Sequence, residues 1–332
     1  MIEGNKVAVI GGSGFVGSRL CQLLDSNGIL TEIYDKNTSP IFPNKTTLCD
    51  VANIGTLDCL EGVHTIVNLA AVHSDDVKSW DPYFEANVLG AENICEIARK
   101  LNIKNIIFTS SVAIYGFAPL NTDESGDPDY FNDYGKSKYL AEQIYKKWYE
   151  ESPEERSLVI IRPTVIFGEG NRGNVYNLFK QINSGRFLMV GSGGNTKSMA
   201  YVGNVSEFIK YCLSKSVGLH VYNYVDTPDL DMNSLVGIAR QTCLGARGVG
   251  PRIPSSLGLL LGRLCDIFSS ILRISLPISH IRVQKFLATT TFSSQKMLNE
   301  FVPPYDMVEA VTKTLEYEFV SDNSDKPNFY TE

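Results

Sequence analysis

Tyr134 and Lys138 stand four residues apart in "NDYGKSKYLAEQ", a stretch of helical pattern, so their side chains share one face. A phenol titrates near pH 10 and is a poor base at neutrality. An ammonium beside it favours the phenolate, which can then take the proton of a substrate hydroxyl. "FTSSVAIYG" ends an apolar run with Ser110 and Ser111, and Ser111 can hold that hydroxyl in line. The chemistry these three residue types could do together is proton transfer at a carbinol, the step that accompanies its oxidation.

Such residues need elements to position them. Short runs rich in Val and Ile, "KVAVIGG", "LTEIYD", "TLCD", "HTIVNLAA", "IKNIIFTSS" and "SLVIIRPTVIFG", alternate with longer amphipathic stretches. Strands without polar alternation are buried on both faces, as in a parallel sheet covered by helices. The expected class is α/β, a Rossmann-type doubly wound parallel sheet, and its ligands belong at the C-terminal edge of the strands. The first strand enters "GGSGFVGSRL", where Gly11, Gly14 and Gly17 are spaced G-x-x-G-x-x-G before a helix starting near Phe15. Those glycines allow a tight turn and a pyrophosphate on the helix N-terminus. The next strand ends at Asp35, whose carboxylate can accept from adenosine ribose hydroxyls and would repel a 2′-phosphate, favouring NAD over NADP. A nicotinamide cation would add to the ammonium in favouring the phenolate.

The bounds are consistent with one large core and an attached lobe: 332 residues, 43% hydrophobic. A net charge of −7 argues against a nucleic-acid partner. The seven cysteines form no C-x-x-C pair and have no clustered histidines beside them, so reduced thiols in a cytoplasmic protein and no metal site are expected. "MIEGNKVAVIGG" enters a strand without the charged and apolar regions of a secretory signal. The NAD-binding domain is expected over 1–165, with 200–226 returning to it. A smaller α/β C-terminal substrate lobe would take 166–199 and 227–320, leaving 321–332 as a loosely ordered polar tail.

"GGSGFVG", Asp35, "CDV", "NLAA", "EANVLGAENI", "SSVAIYG", "YGKSK" and "RPTVIFG" together resemble the extended short-chain dehydrogenase/reductase superfamily, over most of the chain. The resemblance implies that Ser111, Tyr134 and Lys138 are the catalytic triad and that Lys138 also holds the nicotinamide ribose. It implies that Gly11, Gly14, Phe15, Val16 and Gly17 line the glycine loop of the cofactor site, with Asp35 at the ribose, Lys36 beside it, and Asp50 and Val51 beside the adenine. Leu69, Ala70, Ala71, Asn87 and Ser110 join the cofactor site, with Pro163 and Val165 beside the nicotinamide. A homodimer through a four-helix contact is also implied.

Departures from the superfamily pattern narrow the reaction. Nucleotide-sugar 4,6-dehydratases carry an acidic pair after the catalytic hydroxyl residue, and related decarboxylases need a carboxylate nearby; here Val112 and Ala113 follow Ser111. Epimerisation and simple dehydrogenation remain. "GEGNRGNVYNLFKQINSGRFLMVGSGGNTKSMAYVGNV" resembles the segment of sugar-nucleotide epimerases that wraps the diphosphate. Within it Asn174 is a substrate candidate, and Lys197 stands where those enzymes usually have an arginine. Lysine contacts phosphate as a point charge where arginine is bidentate. Thr164 matches a sugar-contacting position. His73 falls near sugar or nicotinamide, or is a surface histidine, and Arg282 is a further candidate for the diphosphate.

"LGLLLGRLCDIFSSILRISL", Leu257 to Leu276, is unexpected in such an enzyme. Leu257, Leu260, Leu261, Leu264, Ile267, Phe268, Ile271 and Leu272 recur at helical spacing, with Arg263, Asp266, Ser270 and Arg273 on the other side. Twenty helical residues reach about 30 Å, but two arginines and an aspartate would each cost roughly 2.5–3.5 kcal/mol at mid-membrane, which rejects a span. Two placements are left: packed on the lobe's own core, or lying in a membrane interface. From Arg240 to Thr290 seven basic residues face one acidic residue, a net +6, leaving −13 for the rest of a chain totalling −7. A basic apolar lobe suits an anionic membrane surface.

"RSLVIIRPTVIFGEGNRGNVYNLFKQI", "KSMAYVGN", "VYNYVDTPDL" and "LEYEFV" resemble the bacterial N-acetylglucosaminyl-diphospho-undecaprenol 4-epimerases of O-antigen biosynthesis, over nearly the whole chain. That resemblance implies a polyprenyl-diphosphate-linked amino sugar as substrate and a membrane-facing role for Leu257 to Leu276. A soluble epimerase of a nucleotide-linked sugar would use the same triad. A sugar or sterol-type dehydrogenase would instead accumulate NADH, and a non-catalytic NAD-binding regulator would not need the Tyr134 and Lys138 pair.

Overall fold

The structure is a computed structural model that describes residues 5–73, 79–272, 279–323 and 325–330. Its strands are β1 (Val7–Ile10), β2 (Thr31–Asp35), β3 (Thr46–Leu48), β4 (Thr65–Asn68), β5 (Asn105–Thr109) and β6 (Ser157–Pro163). β7 (Val165–Phe167), β8 (Met189–Val190), β9 (Met199–Tyr201), β10 (Gly218–Tyr224) and β11 (Arg252–Ile253) follow. The helices of the first half are α1 (Phe15–Ser26), α2 (Asp81–Tyr83), α3 (Gly90–Lys100) and α4 (Asp133–Glu150). Then come α5 (Asn174–Asn183), α6 (Val202–Cys212), α7 (Met232–Leu244), α8 (Ser255–Leu272), α9 (His280–Leu287), α10 (Gln295–Leu298) and α11 (Met307–Leu315).

A seven-stranded sheet runs β10-β6-β5-β4-β1-β2-β3, every neighbouring pair parallel. Alternate side chains go to opposite faces. Ala8, Ile10, Ile66, Ile106, Phe108 and Ile160 join Ile94 and Ile97 of α3 and Tyr145 and Trp148 of α4. Val7, Val9, Val67, Ile107 and Ile161 meet Leu20 and Leu24 of α1 and Phe208 and Ile209 of α6 on the other side. Burial of each Val, Leu, Ile or Phe side chain among them contributes roughly 1.5–3 kcal/mol, so the sheet is a rigid platform for its C-terminal edge.

The run read as one strand, "SLVIIRPTVIFG", divides. β6 stays in the large sheet, while β7 leaves it to pair with β9. The break falls after Pro163, which has no N–H to continue a ladder. A third core holds Phe179 and Ile182 of α5, Leu235 and Val236 of α7, and Ala310 and Val311 of α11.

Two segments bear on the expectations from sequence. Within the polar tail Phe329 is anchored: it donates its N–H to the Gly170 carbonyl at 2.8 Å, its carbonyl accepts the Arg172 N–H at 2.8 Å, and its ring lies 6.1 Å from that of Phe15. One aromatic anchor holds a segment whose composition is otherwise polar. The apolar stripe of α8 faces outward, with Leu257, Leu260, Leu261, Leu264, Ile267 and Phe268 all exposed. The side chains of Ser270, Ile271 and Leu272, and the residues Arg273 to Leu276, lie outside the described residues. Among the described residues no helix is long and apolar enough to cross a membrane.

Candidate active site

β5 ends at Thr109, and Ser111 caps the short 3-10 turn that follows, Val112–Tyr115, by accepting the Ala113 N–H at 3.1 Å. Asn132 caps the start of α4, its side-chain carbonyl accepting the Gly135 N–H at 2.8 Å. The two elements meet at Gly135, where a Cβ would lie only 2.4 Å from the Ala113 carbonyl oxygen. Only glycine lets the first turn of α4 lie against the turn that Ser111 caps, and Tyr134 is the residue beside it. Tyr134 is half-buried.

One helical turn further on, Lys138 is buried and donates to the Thr109 carbonyl at 2.8 Å, its ammonium 4.9 Å from the centre of the Phe108 ring. Removal from water lowers its pKa from 10.5 to about 7, against the opposing pull of the Glu142 carboxylate. An ammonium has three donors, so two remain after the Thr109 contact. Beyond it lies a buried network that the sequence reading missed. Arg162 grips Glu142 bidentately at 2.8 and 2.7 Å and donates to the Tyr115 hydroxyl at 2.6 Å, which donates to Asn223 Oδ1 at 2.8 Å. It ties α4, the Ser111 turn, β6 and β10 together. The signal was a lone arginine inside "SLVIIRPTV", otherwise an apolar run.

The glycine loop fits a dinucleotide. Gly11 has φ +80°, and a Cβ there would sit 2.6 Å from the Ala70 nitrogen; one on Gly17 would lie 2.3 Å from the Gly11 carbonyl oxygen. The backbone therefore closes around a concave turn at the start of α1, where Gly14 supplies no side-chain cap to compete with an anion. The Asp35 carboxylate accepts the Ser13 N–H at 3.0 Å and the Asn37 N–H at 2.9 Å, with lone pairs left for hydroxyls. Lys36 beside it is exposed. Ser110 Oγ is buried without a partner among the described residues, an orphan of the kind a bound ligand satisfies.

Other expected contacts fall along the same edge. Val51 is buried against Gly90 and gives its carbonyl to Asn93, while Asp50 is exposed. Leu69, Ala70 and Ala71 follow β4 and are half-buried. Asn87 accepts the Val72 N–H at 2.9 Å and donates to the Val72 carbonyl and to Ser137 Oγ. Its amide thus clamps the 69–72 loop to α4, a positioning task rather than a free donor set.

On the substrate side, Pro163 ends β6 and Thr164 donates its N–H to the Tyr224 carbonyl at 3.2 Å. Val165 is 43% exposed, an apolar surface at the sheet edge. Lys197 donates to the Ala288 carbonyl at 3.0 Å, and partial burial lowers its pKa. The strap after α9 reaches the Ser111 turn as well: the Asn121 N–H meets the Thr291 carbonyl at 2.8 Å, and the Phe292 ring stacks 5.8 Å from that of Tyr115. Lys197 and the Ser111 turn are therefore bridged by residues 288–292. Arg282 is exposed on α9, Asn174 is exposed at the first position of α5, and His73 is exposed after β4. A cavity of about 460 Å³ at the foot of α8 is lined by Gly191, Ser192, Arg252, Ile253, Pro254 and Ser255, none of them a residue expected at the site.

Residues 7–224 match the model of the NAD dependent epimerase/dehydratase family. The N-acetyl-alpha-D-glucosaminyl-diphospho-ditrans,octacis-undecaprenol 4-epimerase of Escherichia coli O157:H7 is 48% identical over 331 residues, 99% of each chain. The UDP-glucose 4-epimerase of Vibrio cholerae is 28% identical across 63% of this chain and 66% of its own. Among solved structures, MoeE5 in complex with UDP-glucuronic acid and NAD aligns with a TM-score of 0.74 at 19% identity, over 94% of this chain and 98% of that one. That likeness is one of fold alone. A seven-stranded parallel sheet, a glycine cradle on α1 and a Tyr134/Lys138 pair on α4 therefore stand in a chain that belongs to the NAD-dependent epimerase/dehydratase family.

Proposed function

We propose that this chain is a 4-epimerase that interconverts GlcNAc and GalNAc joined through a diphosphate to undecaprenol, in the building of O-antigen polysaccharide. The observation that carries the reading is 48% identity along 99% of both chains to an enzyme named for that reaction. The Ser111 turn supports it: Val112 and Ala113 can neither donate nor accept a proton from a side chain, so elimination of water lacks its acid and base.

Bound NAD supplies a reversible two-electron oxidation at sugar C4, so that a 4-ketone forms and is reduced again on its other face. The protein's own residues handle the proton and the geometry. Tyr134 as phenolate takes the proton of the 4-hydroxyl and later gives it back. Ser111 holds that hydroxyl in line, and Lys138 favours the phenolate while its remaining donors reach the nicotinamide ribose. Gly11, Gly14, Phe15, Val16 and Gly17 take the pyrophosphate, and Asp35 the adenosine ribose. Thr164, Asn174 and His73 serve the sugar, and Lys197 with Arg282 neutralises the diphosphate. In this reading 1–165 and 200–226 hold the cofactor, and 166–199 with 227–320 hold the substrate. The enzyme works as a homodimer at the cytoplasmic face of the inner membrane, where its substrate resides.

The test is to incubate the protein with GlcNAc-diphospho-undecaprenol deuterated at sugar C4 and to analyse the released hexosamine. GalNAc that keeps its deuterium, with no NADH accumulating, is expected. NADH accumulation with a keto sugar would make the enzyme a dehydrogenase, and no change in the sugar would overturn the reading.

A further inference from the structure

α8 is attached by the wrong side for a core helix. Gly258 and Gly262, one turn apart, form its inner line: a Cβ on Gly258 would lie 2.3 Å from Val190 Cγ1, and one on Gly262 2.9 Å from His280 Cα. Asp266, one further turn along that line, accepts the His280 N–H at 3.0 Å, and the Leu259 carbonyl faces His280 Nδ1 at 3.3 Å. The small residues therefore seat α8 on β8 and on the start of α9. At about 100° per residue, the side opposite this line carries Leu257, Leu260, Leu261, Leu264, Ile267 and Phe268. Leu260, Ile267 and Phe268 are 53%, 55% and 56% exposed. Single exposed leucines are ordinary, but six large apolar side chains on one continuous stripe mark an interaction surface.

We propose that this stripe is a membrane-docking surface that lies in the plane of an anionic bilayer, with its apolar side chains among the acyl chains next to the headgroups. Charge selects this occupant. Arg263 flanks the stripe, Arg252 precedes the helix, and Arg282 and Lys285 are exposed on α9, which packs on α8. The rest of the chain is acidic, so an anionic surface attracts this lobe and repels the remainder, which fixes the orientation. A second copy fits less well, because a two-fold contact sets each patch against itself and would bring these like charges together. Choosing a bilayer rests on the lipid-linked substrate proposed above; it adds the element that brings the protein to that substrate.

The experiment is vesicle flotation of the full-length protein and of a Leu260→Ser/Leu264→Ser/Phe268→Ser variant. All three positions are exposed, so the variant keeps its core. The probes are vesicles of phosphatidylethanolamine with phosphatidylglycerol, and vesicles of phosphatidylcholine alone. The unchanged protein should float with the anionic vesicles and more weakly with the neutral ones, and the triple variant should lose about a hundredfold in apparent affinity. Turnover of substrate dispersed in detergent should stay within about twofold in the variant, since the three side chains are exposed on α8 while Ser111, Tyr134 and Lys138 belong to other elements. Failure of the unchanged protein to float, flotation of the variant equal to it, or a dimer that the triple substitution turns into monomers would overturn the proposal. Flotation without epimerisation of any lipid-linked sugar would leave this surface standing and remove the proposed function.

Discussion

Gly135→Ala sets two local rules against each other. In a helix, alanine is favoured over glycine by up to about 1 kcal/mol, so helix propensity alone expects a more stable protein. The structure expects the opposite, because the new Cβ would lie 2.4 Å from the Ala113 carbonyl and 3.1 Å from Tyr130 Cβ. Restoring ordinary contact, near 3.4 Å, needs a movement of about 1 Å between the first turn of α4 and the Ser111 turn. A misplacement of that size between reacting groups costs about a hundredfold in rate, and the strain roughly 1–3 kcal/mol of stability. The assay is turnover of lipid-linked sugar in detergent beside a thermal melt. Gly237→Ala in α7 is the control, since its Cβ would meet nothing within 4 Å, and it should be neutral or slightly stabilising. NAD affinity should change by no more than a few-fold in either variant, because the glycine cradle and Asp35 lie on other elements and only Lys138 of the proposed cofactor contacts shares α4 with Gly135. A Gly135→Ala enzyme with unaltered kcat and a raised Tm would refute the claim that this contact sets Tyr134 against Ser111.

Tyr134→Phe should abolish turnover while leaving NAD binding, read by fluorescence titration, within a few-fold; full activity would remove Tyr134 as the base. Lys138 gives a pH dependence of defined sign. Its native pKa of about 7 lies below its ordinary 10.5, so between those values the unfolded chain holds a proton that the native state lacks, and stability rises with pH. In cofactor-free protein, Tm should rise from pH 7 to 10 relative to Lys138→Met, and parallel curves would contradict the desolvation of this ammonium. Glu142→Ala should cost about 3–5 kcal/mol in denaturant unfolding, because it strands the buried Arg162 charge. Replacing Glu142 and Arg162 together by Met should recover most of that loss, and equal losses in the two variants would show that the pair itself carries the stability.

The sheet was legible because strands buried on both faces leave unbroken Val and Ile runs. β10 was harder to read: Gly218–Tyr224 is an edge strand, half-exposed over its first residues, with His220 and Asn223 interrupting the apolar pattern. Glycine spacing, Asp35 and the Tyr134/Lys138 interval pointed to the candidate site, since each is local in sequence. The Glu142, Arg162, Tyr115 and Asn223 network was not legible, because it joins four elements that only the sheet order brings together. The periodicity of α8 located its apolar stripe but not the side that packs. Gly258 and Gly262 held that information, as small residues mark where backbones approach closely, and reading them requires knowing what stands opposite. Asn87 shows the reverse case: its position follows the superfamily pattern, yet its amide is occupied with Val72 and Ser137.

The most direct test of the account gives the purified protein GlcNAc-diphospho-undecaprenol and UDP-GlcNAc in separate reactions and analyses each released sugar for GalNAc. GalNAc is expected from the lipid-linked sugar and none from UDP-GlcNAc. Conversion of UDP-GlcNAc, with the lipid-linked sugar left unchanged, would contradict it and make the enzyme a nucleotide-sugar epimerase.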